Sequence, residues 1–300
     1  MCLSFNELEQ APPVYDRFVS AFTLAERVQT LQRLVVAKEK HLLVFSEYRF
    51  LEKELTAGCV VLSSGNEGKV IDEYLRMHPI EQGSKVAVDI TGFLRPHLLF
   101  LLKRLSEFGL GDIDFYYAEP RRYRHDNKTI FSLGTINGVR QVEGYAGSHT
   151  AALSDEVLIV GCGYDTRLMR AIAQDKLKAR KVRLYSLPAL QPHMYQESRM
   201  QSHACQEDFE PFEEVLFAPA YDPFAVAMAL EKFVSSFAGK ISDLFLCPLA
   251  TKPQVLGFGL YYLDSAKHFP ALSLMFPVVA EYSKETATGL AEVWRYRLRA

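Results

Sequence analysis

The stretch Val157-Leu158-Ile159-Val160-Gly161-Cys162-Gly163-Tyr164-Asp165-Thr166-Arg167 joins an apolar strand to a glycine turn and to the opening of a helix that reaches Gln174. Its four aliphatic residues show no polar alternation, which is the condition of a strand buried on both faces in a parallel sheet. The same pattern recurs upstream. Residues 86–90 read as a strand, Thr91-Gly92 as its turn, and residues 96–108 as a helix with Pro96 in its first turn, followed by a strand over 113–117. Downstream come a strand at 182–185, a helix over 194–205, and Asp222-Pro223 as N-cap and first-turn proline of a helix over 224–237. A strand at 244–247, the turn Thr251-Lys252-Pro253 opening a helix to Leu263, a strand at 272–276 and a closing strand at 294–298 complete the series. Strands alternating with helices predict βαβ units.

Working toward the amino end, residues 15–39 carry Phe18, Phe22, Val28, Leu31, Leu34 and Val35 at helical spacing, followed by the apolar run 42–45. The expectation is an α/β, Rossmann-like fold: a mostly parallel sheet flanked by helices, with an N-terminal helical region. Residues 1–84 would form a helical and strand region packed on a main domain of residues 85–300. Residues 121–149 read as an excursion whose Gly144–His149 portion could close as a lid over the crevice. No internal repeat is visible.

The 300 residues are 49% hydrophobic and 23% charged, as in an ordinary globular protein. A net charge of -2 offers no global attraction to nucleic acid or to an acidic membrane. No stretch reaches the roughly 18 apolar residues of a membrane span and no leader pattern opens the chain, so a cytoplasmic location is expected. Cys2, Cys59, Cys162, Cys205 and Cys247 lack metal-ligand spacing, and neither zinc nor a disulfide is expected. His97, His125, His149, His193 and His203 show no metal spacing or nucleophile motif.

In open α/β sheets, ligands bind outside the carboxyl ends of the strands, so the polar turns after the strands are the candidate site. Asp89, Glu119 and Asp165 are the candidate acid/base groups. Thr91, Gly92, Arg95, Gly161, Gly163, Thr251 and Lys252 are the candidate binding residues, and no metal site is indicated. Arg95, Arg140 and Arg167 could clamp a phosphate, and Lys252 at a helix opening could hold an anion. Tyr116, Tyr117 and Tyr123 could stack a base.

Three turns, Asp89-Ile90-Thr91-Gly92-Phe93, Phe217-Ala218-Pro219-Ala220-Tyr221-Asp222-Pro223-Phe224 and Leu249-Ala250-Thr251-Lys252-Pro253-Gln254, resemble an uncharacterised bacterial family of Rossmann-like proteins. Thr251-Lys252 also resembles the turn of CRISPR-associated Rossmann-fold (CARF) sensors, which implies a nucleotide ligand, with Leu249 and Ala250 in place of that turn's glycines. Gly161-Cys162-Gly163 is similar to the cofactor turn of class I methyltransferases, although Tyr185-Ser186-Leu187 stands where those enzymes place an acidic residue. The leading expectation is a protein that binds a nucleotide or related phosphorylated ligand at the sheet edge, as a sensor or as an enzyme. The alternatives are an S-adenosylmethionine-dependent methyltransferase and a non-catalytic scaffold, an oligomer or subunit of a larger bacterial complex.

Overall fold

In the computed structural model, which describes residues 2–3, 10, 12–109, 112–124, 129–149, 155–210, 212–237 and 239–299, the strands sort into two sheets rather than one. The chain opens with β1 (Cys2–Leu3), β2 (Val14–Ala21), α1 (Glu26–Leu34), β3 (Val36–Val44) and β4 (Cys59–Val61). It continues with α2 (Glu67–Met77), β5 (Val86–Asp89), α3 (Arg95–Glu107), β6 (Asp112–Tyr123) and β7 (Ser132–Gln141). Next come β8 (Glu156–Gly161), α4 (Thr166–Asp175), β9 (Arg180–Ser186), α5 (Met194–His203) and β10 (Phe212–Ala218). The last elements are α6 (Pro223–Ser235), β11 (Asp243–Pro248), α7 (Lys252–Ser265), β12 (Leu272–Tyr282) and β13 (Ala287–Arg299).

Two units result, one built from Met1–Leu133 with Glu281–Ala300 and the other from Gly134–Ala280. The expected boundary at residue 85 does not mark the division, because β2, β3 and β4 are hydrogen-bonded into the same sheet as β5 and β6. The expected N-terminal helical region is not shown among the described residues. Of residues 15–39, where helical spacing was read, those up to Ala21 form a strand buried on both faces toward its end, and Glu26–Leu34 form the helix. The apparent helical spacing of residues 18–35 runs across a strand-to-helix junction.

The first unit holds a seven-stranded sheet in the order β1-β13-β6-β5-β2-β3-β4. Its five parallel strands, from the edge strand β4 to β6, lie in the order 3-2-1-4-5 when counted from β2. β13 returns antiparallel along β6, and their register sets Arg297 opposite Asp114. There the buried Asp114 carboxylate accepts from Arg297 Nε at 3.1 Å and from the Tyr15 hydroxyl at 2.5 Å. α1 lies on the face that presents Phe18, Ala87, Tyr116 and Ala118, joined in one core with Leu31 and Val293. α2 covers the other face, where the Tyr74 hydroxyl meets His41 Nδ1 at 2.9 Å.

The second unit holds a six-stranded sheet in the order β10-β9-β8-β11-β12-β7. Its five parallel strands, counted from β8, repeat the order 3-2-1-4-5. The repeat invisible in the residues is therefore present in the topology. Strand order reverses between β2 and β5 in one unit and between β8 and β11 in the other, and in open α/β sheets such reversals are where ligands bind, at the carboxyl edge.

Candidate functional site

At the switch point of the first unit, the sequence from Asp89 to Gly92 forms a fully bonded turn. Asp89 is completely buried, and its carboxylate accepts from the Thr91 amide at 2.9 Å and the Ser20 hydroxyl at 3.0 Å. Burial pushes its carboxyl above the usual range, against the pull of those donors. Thr91 Oγ1 in turn accepts from the Ala118 amide at 2.9 Å, pinning the turn to β6, and the Tyr48 hydroxyl donates to the Gly92 carbonyl at 2.9 Å. A Cβ on Gly92 would stand 2.6 Å from the Thr23 methyl, so the loops after β2 and β5 touch and the glycine serves that approach.

Arg27 is the group at this edge that the sequence reading missed. It occupies the second position of α1, is 9% exposed, and donates through Nη1 to the Ala118 carbonyl at 2.5 Å. Its guanidinium lies 5.9 Å from the Tyr117 ring centroid, and its Nε is buried without a hydrogen-bond partner. The helix it belongs to starts at Ala25, which offers no capping side chain. Nothing in a lone arginine of an amphipathic segment marks it in sequence, because arginine is usually solvated there.

Arg95 opens α3 on the same edge. Burial raises the hydroxyls of Tyr48 and Tyr123, and the charges of Arg27 and Arg95 work against that rise in both. Glu119 on β6 is 7% exposed and accepts from Trp294 Nε1 at 2.8 Å. Burial raises its carboxyl above the usual range; the Trp294 donor and Arg27 oppose this, while the nearby Glu292 adds to it. β13 carries a bulge between Leu290 and Val293, the segment that brings Glu292 toward Glu119.

In the second unit the candidate residues answer to packing. Asp165 is the N-cap of α4, accepting from the amides of Arg167 at 3.2 Å and Leu168 at 3.3 Å. Asp89 and Glu119 thus share one sheet while Asp165 belongs to the other, and the three carboxylates do not line a single edge. A Cβ on Gly163 would collide with the Leu249 carbonyl, and the Gly161 carbonyl accepts from the Leu249 amide at 3.1 Å. Thr251 caps α7 by accepting from the Gln254 amide at 3.4 Å and donates to the Ala220 carbonyl at 2.5 Å. Gln254, fully buried, accepts from the Ser186 hydroxyl at 2.8 Å and donates to the Ala218 carbonyl at 3.2 Å. The Thr-Lys-Pro-Gln run therefore fastens the loops after β9 and β10 to the start of α7. Lys252, half-buried, is the first residue of that helix. Arg140 lies in β7, and Arg167 Nη1 donates to the Gly134 carbonyl at 3.0 Å. His125 lies outside the described residues.

The segment expected to close as a lid is held elsewhere. His149 Nδ1 meets Asp243 Oδ1 at 2.7 Å and its Nε2 meets Ser273 Oγ at 2.5 Å, at the amino ends of β11 and β12. The order Asp-His-Ser has the connectivity of a hydrolase triad. Ser273 is completely buried, however, and its oxygen also accepts from Gln141 Nε2 at 3.0 Å and the Gly147 amide at 2.8 Å. A hydroxyl that donates once and accepts twice has no lone pair left for attack. This relay is a clasp, not a nucleophile.

Among the described residues no group of three or more His, Cys, Asp or Glu is placed to hold a metal, and no helix is long and apolar enough to cross a membrane. Burial pushes the Cys162 thiol up to about 12, which leaves it inert. The chain matches no family model, no curated protein and no solved structure.

Proposed function

We propose that the first unit binds a nucleotide or related phosphorylated ligand at the carboxyl edge of its Rossmann-like sheet, where the strand order reverses between β2 and β5. The observation that carries this reading is Arg27, a buried guanidinium whose Nε lacks a partner beside a helix start without a side-chain cap. A buried charged donor is costly to leave unpaired, and a phosphate or carboxylate oxygen is its natural acceptor. Arg95, the first residue of α3, supplies a second cation on the same edge. Glu119, held toward its protonated form, is the group suited to proton transfer if the bound ligand is turned over.

Titration with a panel of nucleoside mono-, di- and triphosphates and dinucleotides, by calorimetry and thermal shift, tests the reading. A ligand that binds the folded state must raise its melting temperature by mass action, whereas a scaffold gives no response. Arg27→Ala should weaken binding roughly tenfold to hundredfold, the cost of a charge-assisted hydrogen bond. Affinity unchanged in that variant would reject the site, and a response to S-adenosylmethionine alone would favour a methyltransferase.

A further inference from the structure

We infer that the anionic group of the ligand sits, in the first unit, where the second unit carries the carboxylate of Asp165. The inference rests on the binding reading above and deepens it, because it names the seat of the anion and restricts that seat to one of the two units.

The two switch points are built on one plan. Ala21 ends β2 and Gly161 ends β8, and superposing these positions along the sequence sets Ala25 on Asp165, each the N-cap of the helix that follows. It also sets Arg27 on Arg167, each the second residue of its helix. After the fourth strand of each unit, a cation and a proline open the next helix, Arg95-Pro96 in α3 and Lys252-Pro253 in α7. The parallel breaks at one position. In the second unit Asp165 caps the amides of Arg167 and Leu168 and stands 3.7 Å from Arg167 Nε. In the first unit the corresponding residue is Ala25, and the corresponding Nε, that of Arg27, is buried with no partner.

One unit thus fills its helix-start seat with its own carboxylate, and the other leaves both the helix start and the arginine without one. An oxyanion at the first seat meets the positive end of α1 and the Arg27 guanidinium, whereas an anion approaching the second meets Asp165. The chemistry required is a single carboxylate or phosphate group, and the ligand binds once per chain.

The experiment uses the full chain with inorganic phosphate, acetate and a nucleoside diphosphate as probes. Ala25→Asp should install the missing carboxylate, raise the melting temperature of the ligand-free protein by about 2–4 °C as a new cap does, and reduce phosphate affinity at least tenfold. Asp165→Ala should lower the melting temperature and add a second binding equivalent. A phosphate response larger than the acetate response identifies a phosphate ligand, and the reverse identifies a carboxylate. Stabilisation of wild type by phosphate but not by the nucleotide, lost in Ala25→Asp, would support the seat while rejecting the nucleotide reading. Wild-type affinity in Ala25→Asp would overturn the inference, as would the absence of any anion response in both wild type and Asp165→Ala.

Discussion

Glu119 and His149 show what single side chains contribute to this molecule. Because burial raises the Glu119 carboxyl, the contribution of this group to stability is complete below the ordinary glutamate value of 4.5 and is lost as pH rises through the value in the folded state. Glu119→Gln keeps an acceptor for Trp294 Nε1 and cannot ionise. The melting temperature of the variant should therefore gain on that of wild type as pH rises above 4.5, and a constant gap would show that the carboxyl titrates normally. At the opposite end of the chemistry, His149→Ala would leave the buried Asp243 carboxylate without its imidazole and Ser273 without its acceptor. The loss should be about 2–4 kcal/mol in urea unfolding. A fluorophosphonate probe should leave Ser273 unlabelled, since its oxygen is buried and fully bonded, and labelling at that residue would restore the nucleophile reading.

Among the elements, some helix starts are held by a capping side chain, whereas those of α1, α3 and α5 have none. Thr251→Ala removes the cap of α7 together with the tether to the Ala220 carbonyl, and should cost about 1–2 kcal/mol, read as a lowered midpoint in urea. Gly163→Ala should be more damaging, because its Cβ meets the Leu249 backbone rather than a flexible side chain. That position was legible as a glycine turn, but its reason was not: the Leu249 carbonyl, in the loop after β11, stands where a Cβ would be. Several elements left little trace in the sequence. β7 carries Gly134 and Gly138, both at positive φ, and lacks the apolar run that marks β8 and β11, whereas β10 has such a run at residues 215–218 that the sequence reading passed over behind its polar opening.

For the whole molecule, the second unit is a continuous insertion between β6 and β13 of the first, with its own sheet and core. A fragment of residues 130–283, which includes all of β7 and β12, should fold alone with a cooperative thermal transition. A fragment of residues 1–133 should not, because it lacks β13, the antiparallel partner of β6 and the source of Arg297 for Asp114. Far-UV circular dichroism and limited proteolysis of the two fragments check this, and a disordered 130–283 fragment would contradict it. The sequence by itself determined the α/β class, the positions of β5, β6, β8, β9, β11, β12 and β13 and the polar turns after the parallel ones, because burial on both faces and helix-opening prolines act on neighbouring residues. Only the tertiary structure decided that the strands form two sheets of one order, that Asp165 and Glu119 belong to different units, and that Arg27 lies buried over β6. Strand pairing and the burial of a charge depend on residues distant in the chain, and no local pattern records which strand a neighbour will be.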